Sequence, residues 1–323
     1  MSKPCLVILA GCIVSAAVLV RVHAAAAAEY PAKPIRIVVP QSAGASTDIT
    51  ARTIAQKLSE AFKQPVIVDN RSPFNGTEIV SKAPADGHTL LVVASSFTIN
   101  SSLYANLPYD PVRDFTPITQ LSKFPNMLVA HPSTPVKTLQ DVLAMAKAKP
   151  GQINYASAGS GTGTHMSGEL LKQMAGVDLV HVPYKGGGPA VTAVLGAQVP
   201  LMIGASIGLI PHVKSGKLRG IAVTSPKRSA AVPEVPTIAE SGVPGYEHEP
   251  WNGMLGPAKM PRGVVASLNA TVAQVLKLPD VRKVFANDAA DAVGNTPEEF
   301  AAIVKSETVR WARVIKSGGI KPD

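Results

Sequence analysis

Short apolar runs with strand character alternate along this chain with segments of helical spacing, and that alternation limits the possible folds more than any other feature. The runs are Ile35 to Val39, Val66 to Val68, Thr89 to Ala94, Met127 to Ala130, Ile153 to Ala156, Leu179 to Val182, Pro200 to Ile203 and Leu218 to Val223. Between them, Ile54, Leu58, Ala61 and Phe62 form a stripe after Thr47-Asp48, and Met166, Leu170, Leu171 and Met174 form another after Thr164. Thr138 with Asp141, and Thr296 with Glu299, have the spacing of capping boxes, the second with Pro297 at the first helical position. The sequence therefore predicts an α/β fold with parallel or mixed sheets covered by helices on both faces.

About 295 residues follow the leader described below, more than one hydrophobic core usually serves, so two lobes are expected. With 46% hydrophobic and only 16% charged residues, both cores can be filled. Proline and glycine crowd Val232 to Pro261, which reads as an irregular crossover between the lobes. Two helices, Val264 to Leu276 and Glu298 to Ile315, are expected to pack back on the first lobe. The division is a leader over residues 1–28, a first lobe of residues 29–127 plus 250–323, and a second lobe of residues 128–249.

Lys3, an apolar run from Leu6 to Val20 and the small residues Ala24 to Ala28 make a secretory signal peptide. The run of 15 residues is shorter than the roughly 18 a membrane helix needs, so cleavage near Ala24 to Ala28 and a periplasmic location are expected. Leu9-Ala10-Gly11-Cys12 resembles a lipidation signal, but cleavage there leaves Met1 to Gly11, short of the usual ~15 to 30 residues. Both cysteines, Cys5 and Cys12, lie in the leader, so disulfides and cysteine chemistry are excluded beyond it. Lys3 and Arg21 supply two of the formal +9 charges and residues 1–28 hold no acid, leaving +7 for the rest. That excess is scattered and only 5% of residues are aromatic, which argues against nucleic acid. A basic surface favours encounter with small anions, and serves equally as a solvated face.

In an open α/β sheet, ligands sit beyond the carboxyl ends of strands, where the next helix begins. Two loops occupy that position: Pro40 to Asp48 after the first strand, and Ser157 to His165 after the Tyr155 strand. Glycine lets such loops aim backbone N–H groups at one point, Ser and Thr add donors, and a helix start adds partial positive charge. A carboxylate or phosphate can be held there without Arg or Lys; the plainer alternative is that these residues only cap two helices.

Motifs for chemistry fail on inspection. The second loop has Gly159, Gly161 and Gly163 but no Gly-Lys-Ser/Thr ending, and Met166 stands where a dinucleotide fingerprint ends in glycine or alanine. Gly204-Ala205-Ser206-Ile207-Gly208 matches a nucleophile elbow, which would need an acid such as Glu234 or Glu240 and a base such as His212 or His248. Both acids fall in the irregular crossover, and short glycine-serine patterns recur by chance. The histidines, at 23, 88, 131, 165, 181, 212 and 248, show no metal spacing beyond His165 with Glu169, and a lone pair is not a site. His165 reads as a helix cap or a ligand contact at the helix start, with a core or surface role as the alternative. No enzyme activity, cofactor or metal is expected.

Several stretches together resemble the tripartite tricarboxylate transporter substrate-binding family, the Bug or TctC receptors. They are Tyr30-Pro31-Ala32-Lys33-Pro34-Ile35-Arg36, Asp48 with Ala51-Arg52, Asp69-Asn70-Arg71, and Ala85-Asp86-Gly87-His88-Thr89-Leu90. Further on come Leu107-Pro108-Tyr109-Asp110-Pro111, Val182-Pro183-Tyr184-Lys185-Gly186-Gly187, Gly216-Lys217-Leu218-Arg219 and Val235-Pro236-Thr237. The resemblance covers essentially the whole chain after the leader. It implies a two-lobed flytrap fold of the periplasmic-binding-protein kind and a receptor that delivers small di- or tricarboxylates to a membrane permease. It also implies that ligand carboxylates are gripped by the two loops. Carried over by position, the ligand residues are Ser42, Gly44, Ser46, Thr47 and Asp48, then Ser157, Gly159, Ser160, Gly161, Thr162 and His165, with Asn70 and Ser206 lining the cleft.

Three departures from the family pattern bear on the ligand. Gly44-Ala45 replaces a usual Gly-Gly pair and Gln41 a frequent aromatic; Ser72-Pro73-Phe74-Asn75-Gly76 replaces a glycine-rich run; and Gly204-Ala205 stands where Asp or Asn is common. Ligand identity therefore does not transfer. The alternatives are a periplasmic sensor subunit for a signalling system, which shares the binding event, and a serine hydrolase using Ser206. A monomer is the default expectation.

Overall fold

A computed structural model describes residues 30–287 and 289–322; the leader, its cleavage site, Cys5, Cys12 and His23 lie outside the described residues. The first half runs β1 (Ile35–Val39), α1 (Ser46–Phe62), β2 (Val66–Asn70), α2 (Pro73–Ser81), β3 (Thr89–Ala94), α3 (Ser96–Leu103) and β4 (Phe115–Lys123). Next come β5 (Asn126–Ala130), α4 (Leu139–Ala148), β6 (Asn154–Ser157), α5 (Gly163–Ala175), β7 (Val180–Pro183), α6 (Gly187–Leu195), β8 (Leu201–Ala205), α7 (Ser206–Lys214) and β9 (Arg219–Val223). The chain returns through β10 (Trp251–Pro257), α8 (Arg262–Val275), α9 (Pro279–Asn287), β11 (Asp291–Ala292) and α10 (Pro297–Gly318).

Two mixed sheets result. One has the order β11-β4-β10-β3-β1-β2, the other β7-β6-β8-β5-β9. In the first, β1 is parallel to β2 and β3 while β10 runs antiparallel to β3 and β4. In the second, β6 is parallel to β7 and β8 while β5 runs antiparallel to β8 and β9. The β-branched run Ile35-Arg36-Ile37-Val38-Val39 is buried on both faces, as a helix-covered strand requires. Ile54 and Leu58 of α1 are fully buried against it, each stabilising by about 1.5–3 kcal/mol. The expected stripes stop short: Ala61 is exposed and Met174 is 41% exposed. Both capping boxes form, at Thr138 with Asp141 and at Thr296 with Glu299.

The stretch read as irregular crossover contains β10, a fully buried strand at the centre of the first sheet. Its glycines are packing residues. A Cβ at Gly253 would overlap the Phe300 ring, and one at Gly256 would overlap Met260. Strand β4 also escaped the sequence reading because its buried polar residues mask it; Thr119 Oγ1 donates to Asn295 O at 2.8 Å and the Gln120 amide to Asn295 Oδ1 at 2.8 Å.

Helix α10 does not simply pack back on the first sheet. Phe300 and Val304 join Val38, Leu91 and Trp251 in a first-sheet core. Three turns on, Trp311, Val314 and Ile315 join Tyr155, Met166 and Leu171 in the core of the second sheet. Helix α3 divides likewise: Phe97 belongs to the first core, Ile99 and Leu103 to the second. The two helices are walls shared by both cores.

Candidate ligand-binding site

The two loops singled out by sequence follow the carboxyl ends of β1 and β6, the ends at which α/β sheets receive ligands. At the first, Ala45 is the N-cap of α1 in extended conformation and no side chain caps the helix. The first-turn amides are thus left to solvent or a ligand. Ser42, Gly44 and Ser46 are exposed around this helix start, whereas Thr47 and Asp48 are buried. Thr47 Oγ1 donates to Asn252 Oδ1 at 2.7 Å, which ties the helix to β10.

Asp48 organises the loop. Its Oδ2 accepts from the Gly44 amide at 2.8 Å and Arg52 Nε at 3.0 Å, and its Oδ1 from Asn70 Nδ2 at 2.9 Å. Asn70 Nδ2 also reaches Gln41 O at 3.1 Å, and Asn70 Oδ1 accepts from Arg52 Nη2 at 2.8 Å. Burial alone would raise the Asp48 pKa, but the bonds from Arg52, Gly44 and Asn70 and the Arg52 charge outweigh it and hold it below the usual value. A depression of about 810 Å³ opens here, bordered by Gln41, Ser42, Ala45, Asn70 and Arg71 and with no carboxylate in its lining.

The second loop is held differently. Thr162 caps α5, its Oγ1 accepting the His165 amide at 3.3 Å and donating to Gly159 O at 2.6 Å. Ser157 is buried with Oγ 2.6 Å from His181 Nε2, and the Ala158 amide donates to Thr164 Oγ1 at 3.0 Å. Gly159 and Ser160 are half-buried at the loop apex. His165 is 4% exposed and receives the Gly161 amide on Nδ1 at 3.2 Å. Gly161, at φ 72°, presses on α3: a Cβ there would stand 2.6 Å from Leu103 Cδ2 and 3.6 Å from Asn100 Oδ1. The second loop therefore meets the first half of the chain directly.

Ser206 opens α7 with its Oγ buried and unpartnered, its amide donating to Pro125 O at 3.2 Å. The strand-turn-helix context of a nucleophile elbow is present, but no base attends the hydroxyl: His248 Nδ1 lies 2.8 Å from Ser167 Oγ, and His212 is on α7 itself. Among the described residues no group of three His, Cys, Asp or Glu is placed to hold a metal, and no helix is long and apolar enough to cross a membrane. Sequence reasoning missed Asn252, Arg52 and His181, which anchor the loops. Asn252 was hidden in the proline-glycine stretch; Arg52, one turn after Asp48, carried an i,i+4 signal.

Two mixed sheets covered by helices, with glycine-serine loops at the carboxyl ends of β1 and β6, define a two-lobed solute-binding protein of the periplasmic type. A "periplasmic transporter" structure superposes with TM-score 0.78 at 36% identity, covering 91% of this chain and 100% of that one. The family model described as "Tripartite tricarboxylate transporter family receptor" (TctC) matches residues 50–320, and the chain belongs to that family.

A "UPF0065 protein in tcbD-tcbE intergenic region" of Pseudomonas sp. (strain P51) is 37% identical over 290 residues, 88% of this chain and 86% of its own. Protein BugT of Bordetella pertussis is 35% identical over 297 residues, 90% of this chain and 91% of its own. Among solved structures, R. palustris Rpa4515 with adipate has TM-score 0.79 at 36% identity, covering 91% of this chain and 100% of its own. MatC (Rpa3494) from Rhodopseudomonas palustris with bound malate has TM-score 0.76 at 31% identity, covering 88% and 100%. The family is one of solute receptors, and the chain is not an enzyme.

Proposed function

We propose that this protein captures a small organic carboxylate between its lobes in the periplasm and delivers it to the membrane permease of a tripartite tricarboxylate transporter, acting as a monomer after its leader is removed near Ala24 to Ala28. The observation that carries the reading is the uncapped start of α1 beside a depression with no carboxylate in its lining. Ser42, Gly44 and Ser46 with the first-turn amides take the carboxylate on one side, and Gly159 and Ser160 on the other. Thr47, Asp48, Asn70, Ser157, Gly161, Thr162 and His165 shape these loops, and Ser206 closes over the ligand from α7. The lobes divide near 127/128 and 249/250 and close about the two crossing segments, where the Phe124 amide donates to Pro250 O at 2.9 Å and Lys123 pairs with Glu249 at 2.8 Å. Adipate and malate, bound by the two relatives, head the panel of ligands.

Isothermal titration of leader-free protein, stripped of ligand by unfolding and refolding, against adipate, malate, citrate and benzoate tests this. One-to-one binding of at least one acid, weakened by Gly44→Val, is expected. Absence of heat with every carboxylate refutes the substrate class. N-terminal sequencing of the periplasmic fraction checks the leader.

A further inference from the structure

The depression beside the open α1 start has a single charged side chain in its lining, that of Arg71, just past the carboxyl end of β2. Its backbone is held on two sides. The Arg71 amide donates to Val39 O at 2.9 Å, and a Cβ on Gly76 of α2 would stand 2.9 Å from Arg71 Cβ and 3.1 Å from Pro40 Cβ. The side chain is anchored at one point, Nε donating to Asp69 Oδ2 at 3.0 Å, and is 47% exposed. Among the described residues nothing bonds to its Nη atoms.

The charges around it leave a surplus. Asp69 Oδ2 also accepts from Arg36 Nε at 2.8 Å, and Asp48 Oδ2 accepts from Arg52 Nε at 3.0 Å. Burial alone would raise the Asp69 pKa, but the bonds from Arg36 and Arg71 and their charges hold it below the usual value. Asp48 therefore balances one guanidinium while Asp69 is shared between two, and Arg71 is where the unbalanced positive charge reaches the depression. The turn that carries it is stiff. Where the family pattern is rich in glycine, this chain has Pro73 at the first position of α2 and Phe74 edge-on to Tyr104 with centroids 4.9 Å apart. A guanidinium on such a turn loses little freedom when it takes up an anion.

We infer that Arg71 is a second carboxylate contact on the first lobe, selecting dicarboxylates over monocarboxylates: one carboxylate lies at the α1 start and the other on the Arg71 Nη atoms. The inference rests on the reading that the α1 start receives a carboxylate. Val39 and Asn70 are partners in the parallel pair of β1 and β2, and such strands lie about 4.7–4.9 Å apart, so the two contacts belong to neighbouring strand ends. The depression of about 810 Å³ borders both, with Gln41 and Asn75 as neutral polar flanks. The planar fork of Arg suits the second position because it offers a carboxylate parallel N–H bonds. A monocarboxylate leaves either the helix start or the guanidinium to water.

Isothermal titration of leader-free, ligand-stripped protein tests this by pairing each diacid with a monoacid of equal chain length: malate with 3-hydroxybutyrate, succinate with butyrate, glutarate with pentanoate, and adipate with hexanoate. At least one diacid should bind about tenfold or more tightly than its monoacid. Arg71→Gln should bring that ratio within about threefold by weakening the diacid alone, whereas a loss of folding would weaken both. Lys82→Gln removes an equal charge from an exposed pair at the far end of α2 and should leave the ratio at its wild-type value. A ratio that survives Arg71→Gln, a wild type that holds monoacids as tightly as diacids, or binding of other acids but of none of these diacids overturns the role of Arg71 and leaves the functional reading standing. Absence of binding by every carboxylate, citrate and benzoate included, refutes that reading and the inference with it.

Discussion

Replacing Asp48 with asparagine keeps the shape of the side chain and removes its charge, which isolates what that charge does for the first loop. The wild-type carboxylate accepts three hydrogen bonds, from Gly44, Arg52 and Asn70. Asparagine has one oxygen, so its NH2 must face either Asn70 or the Gly44–Arg52 pair, donor against donor. Asn70 cannot turn to repair this without breaking its bonds to Gln41 O and Arg52 Nη2. Hydrogen bonds to a charged group contribute about 1.5–3 kcal/mol each, so losing one and weakening two should cost about 2–3 kcal/mol. The Asp48 pKa is depressed in the folded protein, and a depressed carboxylate contributes stability that is complete above the unfolded value near ~4 and is lost as pH falls through the folded value. Urea denaturation of wild type and Asp48→Asn should show the full gap at neutral pH and a shrinking one below about pH 4. A gap under about 0.5 kcal/mol at neutral pH, or one that does not change with pH, refutes the assignment of the loop's order to this charge.

Other perturbations probe the rest of the molecule. Gly253→Ala drives a methyl into the Phe300 ring and should cost about 1–3 kcal/mol by thermal denaturation. Trp311→Ala removes a fully buried side chain from the core of the second sheet and should cost about 3–5 kcal/mol in a urea melt. Burial first, then Arg310, hold His248 neutral with a pKa near 3, so the unfolded chain takes up its proton first and stability falls as pH drops from about 6.5 towards 3. The slope is at most about 1.4 kcal/mol per pH unit. Glu307, pushed up to about 7 mainly by burial, works in the opposite sense, so the measurement is the difference between wild type and His248→Asn, whose acid limb should be shallower.

Much of the fold was legible because its signals were local. The apolar runs of β1, β3, β5, β8 and β9, the two capping boxes, and the glycine-serine loops after β1 and β6 each declare themselves within a few residues. Strand β10 did not, because Gly253 and Gly256 are small to admit Phe300 and Met260, and a strand built around neighbours distant in sequence has the composition of a loop. The same reason hid the split loyalties of α3 and α10: the turn that carries Trp311 to Tyr155 and Met166 is a property of the assembled molecule. At the site, the loops were visible but the division of labour within them was not. Ala45 leaves one helix start open while Thr162 closes the other, and buried Thr47, Asp48 and Ser157 are held by Asn252, Asn70 and His181, partners that only the fold brings together.

The shared helix α10 also has a bearing on timing. During synthesis, the strands of the second sheet emerge long before Trp311, Val314 and Ile315, which complete their core. Until the final turns of α10 are made, that core lacks one wall. The last residues to arrive are thus among those that close the second core, an order of events that suits the export proposed for this chain.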